Sequence, residues 1–174
     1  MNYKIIVTLI TIFFASFCAS AKMDQRIDII EGAISILKEK SVASIEFDWE
    51  GARWDSDVSL EEQWGEDYAQ ILAESEATFI AQFNKKSKAL KLDANTEDAT
   101  INVIFKITGA DKHWGVGMGF GWETIISGTI TFKSGEQTML VLKLDRFEGD
   151  KDTSSDDSVA RCFRDIAKKI TKLK

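Results

Sequence analysis

The sequence predicts an α+β fold, a two-layer sandwich in which helices pack mainly on one face of a four-stranded mixed sheet. Four segments alternate apolar and polar residues with a period of two, which is typical of half-buried strands, and three others carry apolar residues at helical spacing. The elements follow the order α-β-α-β-β-β-α. The β-α-β step requires a crossover between strands, and the three later strands are expected to form a meander.

Residues 1–21 are predicted to be a cleavable export signal. Lys4 supplies a positive start, Ile5–Phe17 is almost uniformly apolar, and Ala19–Ala21 gives the small-x-small pattern of a cleavage site. The apolar stretch is shorter than the roughly 20 residues that span a bilayer. We therefore expect an exported protein, periplasmic or secreted, with no transmembrane span after signal removal and with residues 22–174 forming a single domain.

The two cysteines carry different expectations. Cys18 offers an alternative location, as the lipid anchor of an outer-membrane lipoprotein, although the bulky Phe17 before it fits a lipoprotein signal poorly. Once the signal is removed, Cys162 is the only cysteine, so no internal disulfide is expected. Apolar residues share its helical face, which favours a buried core position over a nucleophile.

The first helix is predicted over Asp24–Lys40. Its apolar residues recur at helical spacing: Ile27, Ile30, Ile34 and Leu37. The first strand is predicted over Ser44–Glu50, which alternates strictly before Gly51 ends it. The residues expected on its core face are Ile45, Phe47 and Trp49.

A second helix is predicted from Ser59 to about Lys88. Ser59 is its expected N-cap, and Glu62, three positions later, completes a capping box. Gly65 lies in its first turns as a small local cost. Its apolar stripe, interrupted only by the small polar Ser75, consists of Trp64, Tyr68, Ile71, Leu72, Phe79, Ile80 and Phe83.

Three strands and a last helix complete the chain. The strands are predicted over Thr100–Thr108, Trp122–Lys133 and Thr138–Phe147, and the helix over about Asp156–Lys174. Apolar residues also alternate on the second face of these strands, at Ile104, Ile125, Met139 and Val141. We expect either the first helix or a partner to cover this second apolar patch.

Several short motifs resemble a family of small exported bacterial envelope proteins of unknown function. They are Trp64–Asp67, Phe79 with Phe83–Lys88, a strand ending in Gly109, Ser127–Ile130 and Ala167–Ile170. The resemblance covers most of the mature chain and implies an exported, envelope-associated protein; the family carries no assigned catalytic residues. The order of elements is also distantly similar to that of the N-terminal domain of TolB.

The glycine-rich segment from Gly109 to Trp122 is the most unusual stretch of the sequence. A strand rather than a helix follows it, so it matches neither a phosphate loop nor a dinucleotide fingerprint. It predicts either a long connecting hairpin or a loop that binds a ligand or partner. The residues predicted to make such contacts are His113, Trp114, Val116, Met118, Phe120 and Trp122, together with Trp54.

The candidate chemistry is limited. His113 is the only histidine and is expected in a surface loop, so neither a Ser-His-Asp device nor a zinc site of Cys and His ligands is predicted, and no metal or cofactor is expected. The run Asp150–Asp156 begins like a calcium loop, but Ser155 replaces the required glycine and Arg161 stands where a bidentate Glu is needed. It is better explained by a serine that caps the last helix.

Acidic residues crowd the stretch from Asp48 to Asp67. A solvated acidic surface is the simpler interpretation, and paired carboxylates for glycoside hydrolysis are the alternative. The acids concerned are Asp48, Glu50, Asp55, Asp57, Glu61, Glu62, Glu66 and Asp67. Trp49 and Trp54 nearby could stack on a sugar ring, or could belong to the core and its rim.

The net charge of −6 argues against nucleic acid or an anionic membrane as the main partner. The leading functional hypothesis is a non-enzymatic, exported binding or accessory protein of the cell envelope, with an envelope protein or a small ligand as its partner. One alternative is a small carboxylate-dependent glycan hydrolase. Another is an assembly component that docks through an exposed sheet face.

Overall fold

The protein is built on one mixed sheet of eight strands with its main helices on one face. The structure, a computed structural model, describes residues 26–55, 57–96, 98–116, 120–149 and 158–174, and of residues 112–116, 120–123 and 158 only the backbone. The predicted signal, Cys18, Met118 and the calcium-like run 150–156 therefore lie outside the part described.

The elements are as follows. The strands are β1 (Ile27–Gly32), β2 (Val42–Asp48), β3 (Arg53–Trp54), β4 (Val58–Ser59), β5 (Lys91–Asp93), β6 (Ile101–Val116), β7 (Phe120–Ser134) and β8 (Gln137–Glu148). The α-helices are α1 (Leu60–Trp64), α2 (Tyr68–Lys86) and α3 (Ser158–Ile170), and short 3₁₀ turns cover Ile34–Lys38 and Gly65–Asp67. The α+β class is confirmed, whereas the four-stranded sheet and the predicted order of elements are wrong.

The sheet joins both halves of the chain. Its strand order is β1-β8-β7-β6-β2-β5, and β3 pairs with β6 and with β4. β2 runs parallel to β6, as the predicted crossover requires, while β6, β7 and β8 form the predicted antiparallel meander. Three of the strands missed by the sequence analysis, β3, β4 and β5, have only two or three residues each, too few to show an alternating pattern.

The predicted first helix is a strand followed by a 3₁₀ turn. Ile27 pairs with Leu144 at the edge of β8. This strand pairing decides the structure of the segment, although its apolar residues recur at helical spacing. Gly32 has φ +80°, and a Cβ there would lie 1.9 Å from the Met139 carbonyl oxygen. Ile30, expected on a buried helix face, is 60% exposed and lies where the β1–β8 register shifts.

The predicted second helix is divided near its start. The Ser59 hydroxyl accepts a hydrogen bond from the Glu62 N–H at 3.1 Å, which confirms the N-cap. Gly65 then adopts φ +53°, and α1 gives way to a 3₁₀ turn before α2 begins. Phe79 and Phe83 of α2 are fully buried, as predicted.

The core lies between the sheet and the helices α2 and α3. The predicted core residues of β6 and β8 are buried, as are those of the last helix, including Cys162: Ile101, Val103, Phe105, Ile107, Leu140, Leu142, Leu144, Val159, Cys162, Phe163, Ile166 and Ile170. Within this core, the ring of Phe163 lies 5.2 Å from Phe105, 5.3 Å from Trp49 and 6.4 Å from Phe79, measured between centroids. This aromatic cluster connects β6, the end of β2, α2 and α3.

The second face of the sheet is mixed rather than apolar. Ile104, Met139 and Val141 are half-buried there, and Ile125 is 2% exposed. Thr131 pairs with both Ile104 and Val141 and separates them, while lysines of β6 and β8 occupy neighbouring positions. The predicted apolar patch is therefore interrupted, and the segment expected to cover it as a helix forms β1 at the sheet edge instead.

Gly128 marks a close backbone contact in the middle of the sheet. A Cβ at this position would lie 2.3 Å from the Lys106 carbonyl oxygen. Because that oxygen belongs to the backbone, the clash could be removed only if the backbone moved. At the neighbouring Gly109 a Cβ would meet its nearest atom, the Arg53 carbonyl oxygen, at an ordinary 3.5 Å.

We expect Gly128→Ala to lower the free energy of unfolding by about 2 kcal/mol or more, because the new methyl group forces the β6–β7 pair apart. Gly109→Ala is the matched control and is expected to change it by less than about 1 kcal/mol. Urea unfolding followed by circular dichroism measures both. Equal losses in the two variants would contradict the close contact at Gly128.

Candidate functional site

Two β-bulges face each other across β7. Thr108 is an extra residue in β6, between the pairs Ile107–Gly128 and Gly109–Ser127. In β8, two residues rather than one lie between Leu144 and Phe147, which pair with Gly128 and Ile126. Bulges bend a strand and re-aim its side chains, and they are over-represented beside functional sites.

The bulges open a cleft on the face of the sheet opposite the helices. Its volume is about 200 Å³. Its lining residues, which define the bulge cleft, are Arg53, Asp55, Thr108, Gly109, Ala110, Asp111, Ile125, Ser127 and Arg146. β3 closes one side, since Arg53 pairs with Gly109 and the Asp55 N–H donates to the Ala110 carbonyl oxygen at 3.3 Å.

Backbone strain is concentrated at this cleft. Among the described residues other than glycine, Asp55 (φ +48°) and Arg146 (φ +53°) are the two with positive φ, and both line the cleft. Aspartate tolerates this conformation, but for arginine it costs roughly 1 kcal/mol or more. Strained backbone of this kind collects at ligand-binding and catalytic sites.

Arg146 is held by two contacts. Its Nη1 lies 2.7 Å from Asp111 Oδ2, and its backbone N–H donates to the Ser127 hydroxyl at 3.3 Å. The ion pair therefore links β8 to β6 across the intervening strand. The Arg146 side chain is 60% exposed and the Asp111 side chain 20%, so the guanidinium reaches solvent while the carboxylate lies within the cleft.

The second oxygen of that carboxylate has no partner among the residues described. Asp111 Oδ1 is buried and accepts no hydrogen bond from them, although a buried carboxylate oxygen normally accepts one. Two arginines and two aspartates, Arg53, Arg146, Asp55 and Asp111, thus line one small cleft, and the Arg53 Nη1 donates to the Asp57 carbonyl oxygen at 3.4 Å. This arrangement can bind a molecule that offers both a hydrogen-bond donor or cation and an acceptor or anion.

The glycine-rich segment forms strand rather than loop over its described part. β6 does not end at Gly109 but continues to Val116, and β7 begins at Phe120. His113, expected in a surface loop, lies in β6 opposite Glu123. The remaining predicted contact residues also have defined backbone positions, with Trp114 opposite Trp122 and Val116 opposite Phe120, whereas Met118 lies outside the described residues. Their role as contact residues stays a prediction.

Trp54 is placed away from the bulge cleft. It pairs with the buried Ala110, and its ring packs edge-to-face on Trp64 at 5.9 Å. Trp64 in turn contacts Trp49, whose indole N–H donates to Glu76 Oε1 at 2.9 Å. Trp49 therefore belongs to the core and Trp54 to its aromatic rim, which agrees with the simpler of the two interpretations.

The acidic stretch from Asp48 to Asp67 does not converge on one point. Of its described members only Asp55 lines the bulge cleft, where the second carboxylate is Asp111. Asp48 instead accepts a hydrogen bond from the Glu50 N–H at 2.9 Å and lies 3.2 Å from Lys106 Nζ. These contacts lower the pKa of Asp48, the backbone hydrogen bond from Glu50 most and the Lys106 ammonium next.

Other chemistry in the described part of the chain is sparse. No three His, Cys, Asp or Glu side chains within it lie close enough to hold a metal ion. Cys162 is buried with its sulfur 3.7 Å from the Phe147 carbonyl oxygen. None of the helices described has the length and hydrophobicity that a membrane crossing requires.

The residues at the centre of the cleft, Asp111, Arg146 and Ser127, were missed as site residues. A signal for the bulges does exist in the sequence. Buried residues of β6 occupy odd positions up to Ile107 and then an even one at Ala110, and those of β8 occupy even positions up to Leu144 and then an odd one at Phe147. Each slip of the two-residue period marks an extra residue in the strand.

Comparison with known proteins gives no family assignment. No family model matches the chain, and no curated protein matches its sequence. Among solved structures, the PelC dodecamer from Paraburkholderia phytofirmans superposes with a TM-score of 0.46 at 9% identity, covering 83% of this chain and 95% of that chain. A leucine-to-methionine variant of that dodecamer gives 0.41 at 10% identity, covering 86% and 98%. Nothing about the bulge cleft rests on these two structures, and the resemblances drawn from the sequence stay predictions.

Replacing Arg146 separates backbone strain from the ion pair. Arg146→Ala is expected to lower the free energy of unfolding by about 1–3 kcal/mol, because it leaves the Asp111 carboxylate unpaired and keeps the strained φ. Arg146→Gly loses the same ion pair but relieves the strain, so it should be more stable than the alanine variant by about 1 kcal/mol. Chemical denaturation of the two variants measures the difference, and an alanine variant as stable as the glycine one would contradict strain at this position.

The lowered pKa of Asp48 predicts an acid-sensitive contribution to stability. It is present above the unfolded-state pKa of about 3.9 and is lost as the pH falls through the lower folded-state pKa. Asp48→Asn should therefore lose less stability than the wild type between about pH 5 and pH 2, by up to roughly 1 kcal/mol for so exposed a pair. Lys106→Met keeps the hydrogen bond from the Glu50 N–H to Asp48. It should therefore retain part of the decrease in the free energy of unfolding as the pH falls. Thermal unfolding across this range checks it, and identical slopes in wild type and Asp48→Asn would contradict the assignment.

Proposed function

We propose that this chain is an exported binding protein of the cell envelope that acts by contact and binds a small zwitterionic ligand in the bulge cleft. The observation that carries the proposal is the buried, unpartnered Asp111 Oδ1 beside the Arg146 guanidinium. An ammonium group of the ligand supplies the missing donor to Asp111, and a carboxylate of the ligand receives the exposed guanidinium groups. A free amino acid or the ends of a short peptide has this chemistry.

The size and lining of the cleft support a small, charged ligand. Its volume of about 200 Å³ is below the roughly 300–1,000 Å³ of pockets for drug-sized molecules. None of the residues that line it is aromatic, whereas sugar-binding sites commonly offer a ring face for stacking. Trp54, the aromatic residue nearest in sequence to this lining, packs on Trp64.

The export part of the proposal rests on the sequence. The positive start, the short apolar stretch and the Ala19–Ala21 pattern together support translocation and cleavage. A binding protein outside the cytoplasm meets amino acids and peptides as solutes. We place its binding role in the cell envelope because export would bring the protein there.

The binding experiment uses isothermal titration of the mature protein with amino acids and dipeptides. We expect a dipeptide with free ends to bind, and its N-acetylated, C-amidated form to bind at least about tenfold more weakly, because both charged contacts are lost. Asp111→Asn should weaken binding of the free dipeptide by about tenfold or more.

Asp145→Asn is the matched control, since Asp145 lies in the same β8 bulge, carries the same charge and is exposed on the outside of the cleft. It should bind as the wild type does. Equal affinity for free and blocked dipeptides, or unchanged affinity in Asp111→Asn, would overturn the bulge cleft as a zwitterion site.

A second candidate is the glycan hydrolase, because two acidic residues, Asp55 and Asp111, line one cleft. Incubation of the protein with peptidoglycan, followed by measurement of released reducing ends, separates the two functions. A binding protein releases none. Release that disappears in Asp55→Asn but persists in Asp57→Asn would replace the binding function by hydrolysis.

A further inference from the structure

A second concave site lies at the opposite end of the sheet from the bulge cleft. It is a groove of about 250 Å³ between the 3₁₀ turn Ile34–Lys38, the loop after α2 and the residues around the end of α3. Its lining is mostly apolar at the base, with lysines around it: Ile34, Leu37, Lys38, Phe83, Lys86, Ser87, Lys88, Ala89, Ile170, Thr171 and Leu173. We call it the lysine-rimmed groove.

The polar groups of this groove other than the lysines are already engaged. The Ser87 hydroxyl accepts a hydrogen bond from the Ala89 N–H at 3.4 Å, and the Thr171 hydroxyl donates to the Lys168 carbonyl oxygen at 3.0 Å. The carbonyl oxygens at the end of α2 are bound by Lys91, whose ammonium lies 2.5 Å from Asn84 O and 2.6 Å from Ser87 O. What the groove presents to a ligand is therefore hydrocarbon and ammonium groups.

The three rim lysines are free of acidic partners in the described structure. Lys38, Lys86 and Lys88 are exposed, and none of them forms an ion pair with a described carboxylate. No acidic side chain lines the groove among the residues described. Lysine at the C-terminal end of a helix complements the helix dipole, which accounts for Lys86. Lys38 is the last residue of its 3₁₀ turn, and Lys88 follows α2 by two residues.

The surrounding chain strengthens the positive field. Further lysines lie within a few residues of the groove lining: Lys40, Lys85, Lys169, Lys172 and Lys174. Lys168, also nearby, is paired with Asp165 at 2.7 Å. The protein as a whole has a net charge of −6. Lysines are therefore concentrated around this groove, and a local field can attract an anion that the net charge would repel.

From this combination we infer that the lysine-rimmed groove binds a single-chain anionic amphiphile of the fatty-acid type. The acyl chain lies against Leu37, Phe83 and Leu173, and the anionic headgroup is held by the rim lysines. The volume of about 250 Å³ accommodates one hydrocarbon chain of moderate length. Burial of the chain supplies the affinity, and the lysines select the charged headgroup. This inference is independent of the zwitterion site.

The test titrates the full mature chain with sodium decanoate below its micelle-forming concentration. The matched probes are 1-decanol, which keeps the chain without the charge, and acetate, which keeps the charge without the chain. We expect decanoate to bind, and both matched probes to bind at least about tenfold more weakly. Raising the salt concentration should weaken decanoate binding.

Variants assign the binding to the groove. Lys86→Glu with Lys88→Glu should weaken decanoate binding at least about tenfold, with the circular dichroism spectrum unchanged. Lys133→Glu with Lys143→Glu is the control, because it makes the same change of net charge on strands β7 and β8, away from the groove lining, and leaves the Lys106–Asp48 pair intact. Leu173→Gln, at a half-buried residue of the groove lining, tests the apolar base without a change of charge and should weaken decanoate but not acetate binding.

Three results would overturn the inference. One is equal binding of decanoate and decanol, and another is an equal loss of affinity in the two double-lysine variants. The third is binding to vesicles of phosphatidylglycerol without binding to monomeric decanoate, which would identify a membrane surface as the partner. Lost decanoate binding in Asp111→Asn would show that the two sites are not separate.

Discussion

The packing of Phe163 against the sheet is the contact on which the rest of the architecture depends. Its ring stacks on Phe105 from β6 and on Trp49 from the end of β2, and it meets Phe79 of α2 edge-on. β6 is the strand that carries both the parallel pair with β2 and the Thr108 bulge. By fixing β6 from the helix side, the aromatic cluster sets where the strand leaves the core, and so where the bulge cleft opens.

Much of the sheet could be predicted from the sequence because burial of one face imposes a strict period of two. The meander β6-β7-β8, the parallel β2–β6 pair, the Ser59 cap and the buried face of α3 all follow from such local patterns. The first predicted helix failed because pairing of Ile27 with Leu144 across more than a hundred residues decides its structure. The spacing of apolar residues within the segment cannot indicate this pairing, because the edge of β8 forms only when the sheet folds.

The candidate site was harder to predict than the fold because its residues are not themselves periodic. Arg146 stands at a position where the alternation of β8 calls for an apolar side chain, and Asp111 lies in the segment beyond Gly109. The two slips in period locate the bulges, but which side chains meet across β7 depends on strand register. The glycine-rich segment is unusual in composition, but the described cleft lies only at its first residues, where β3 pairs with β6.

Both edges of the sheet are short or irregular, a feature that in proteins generally disfavours edge-to-edge pairing. β5, at one edge, has only three residues, and β1, at the other, is interrupted by a register shift at Ile30. An uninterrupted β1 that exposes Ile29 and Ile30 would offer a template for strands of other copies. The irregular ladder leaves an incoming strand with mismatched donors and acceptors, so open-ended growth into fibrils is disfavoured even though two isoleucines remain in contact with solvent.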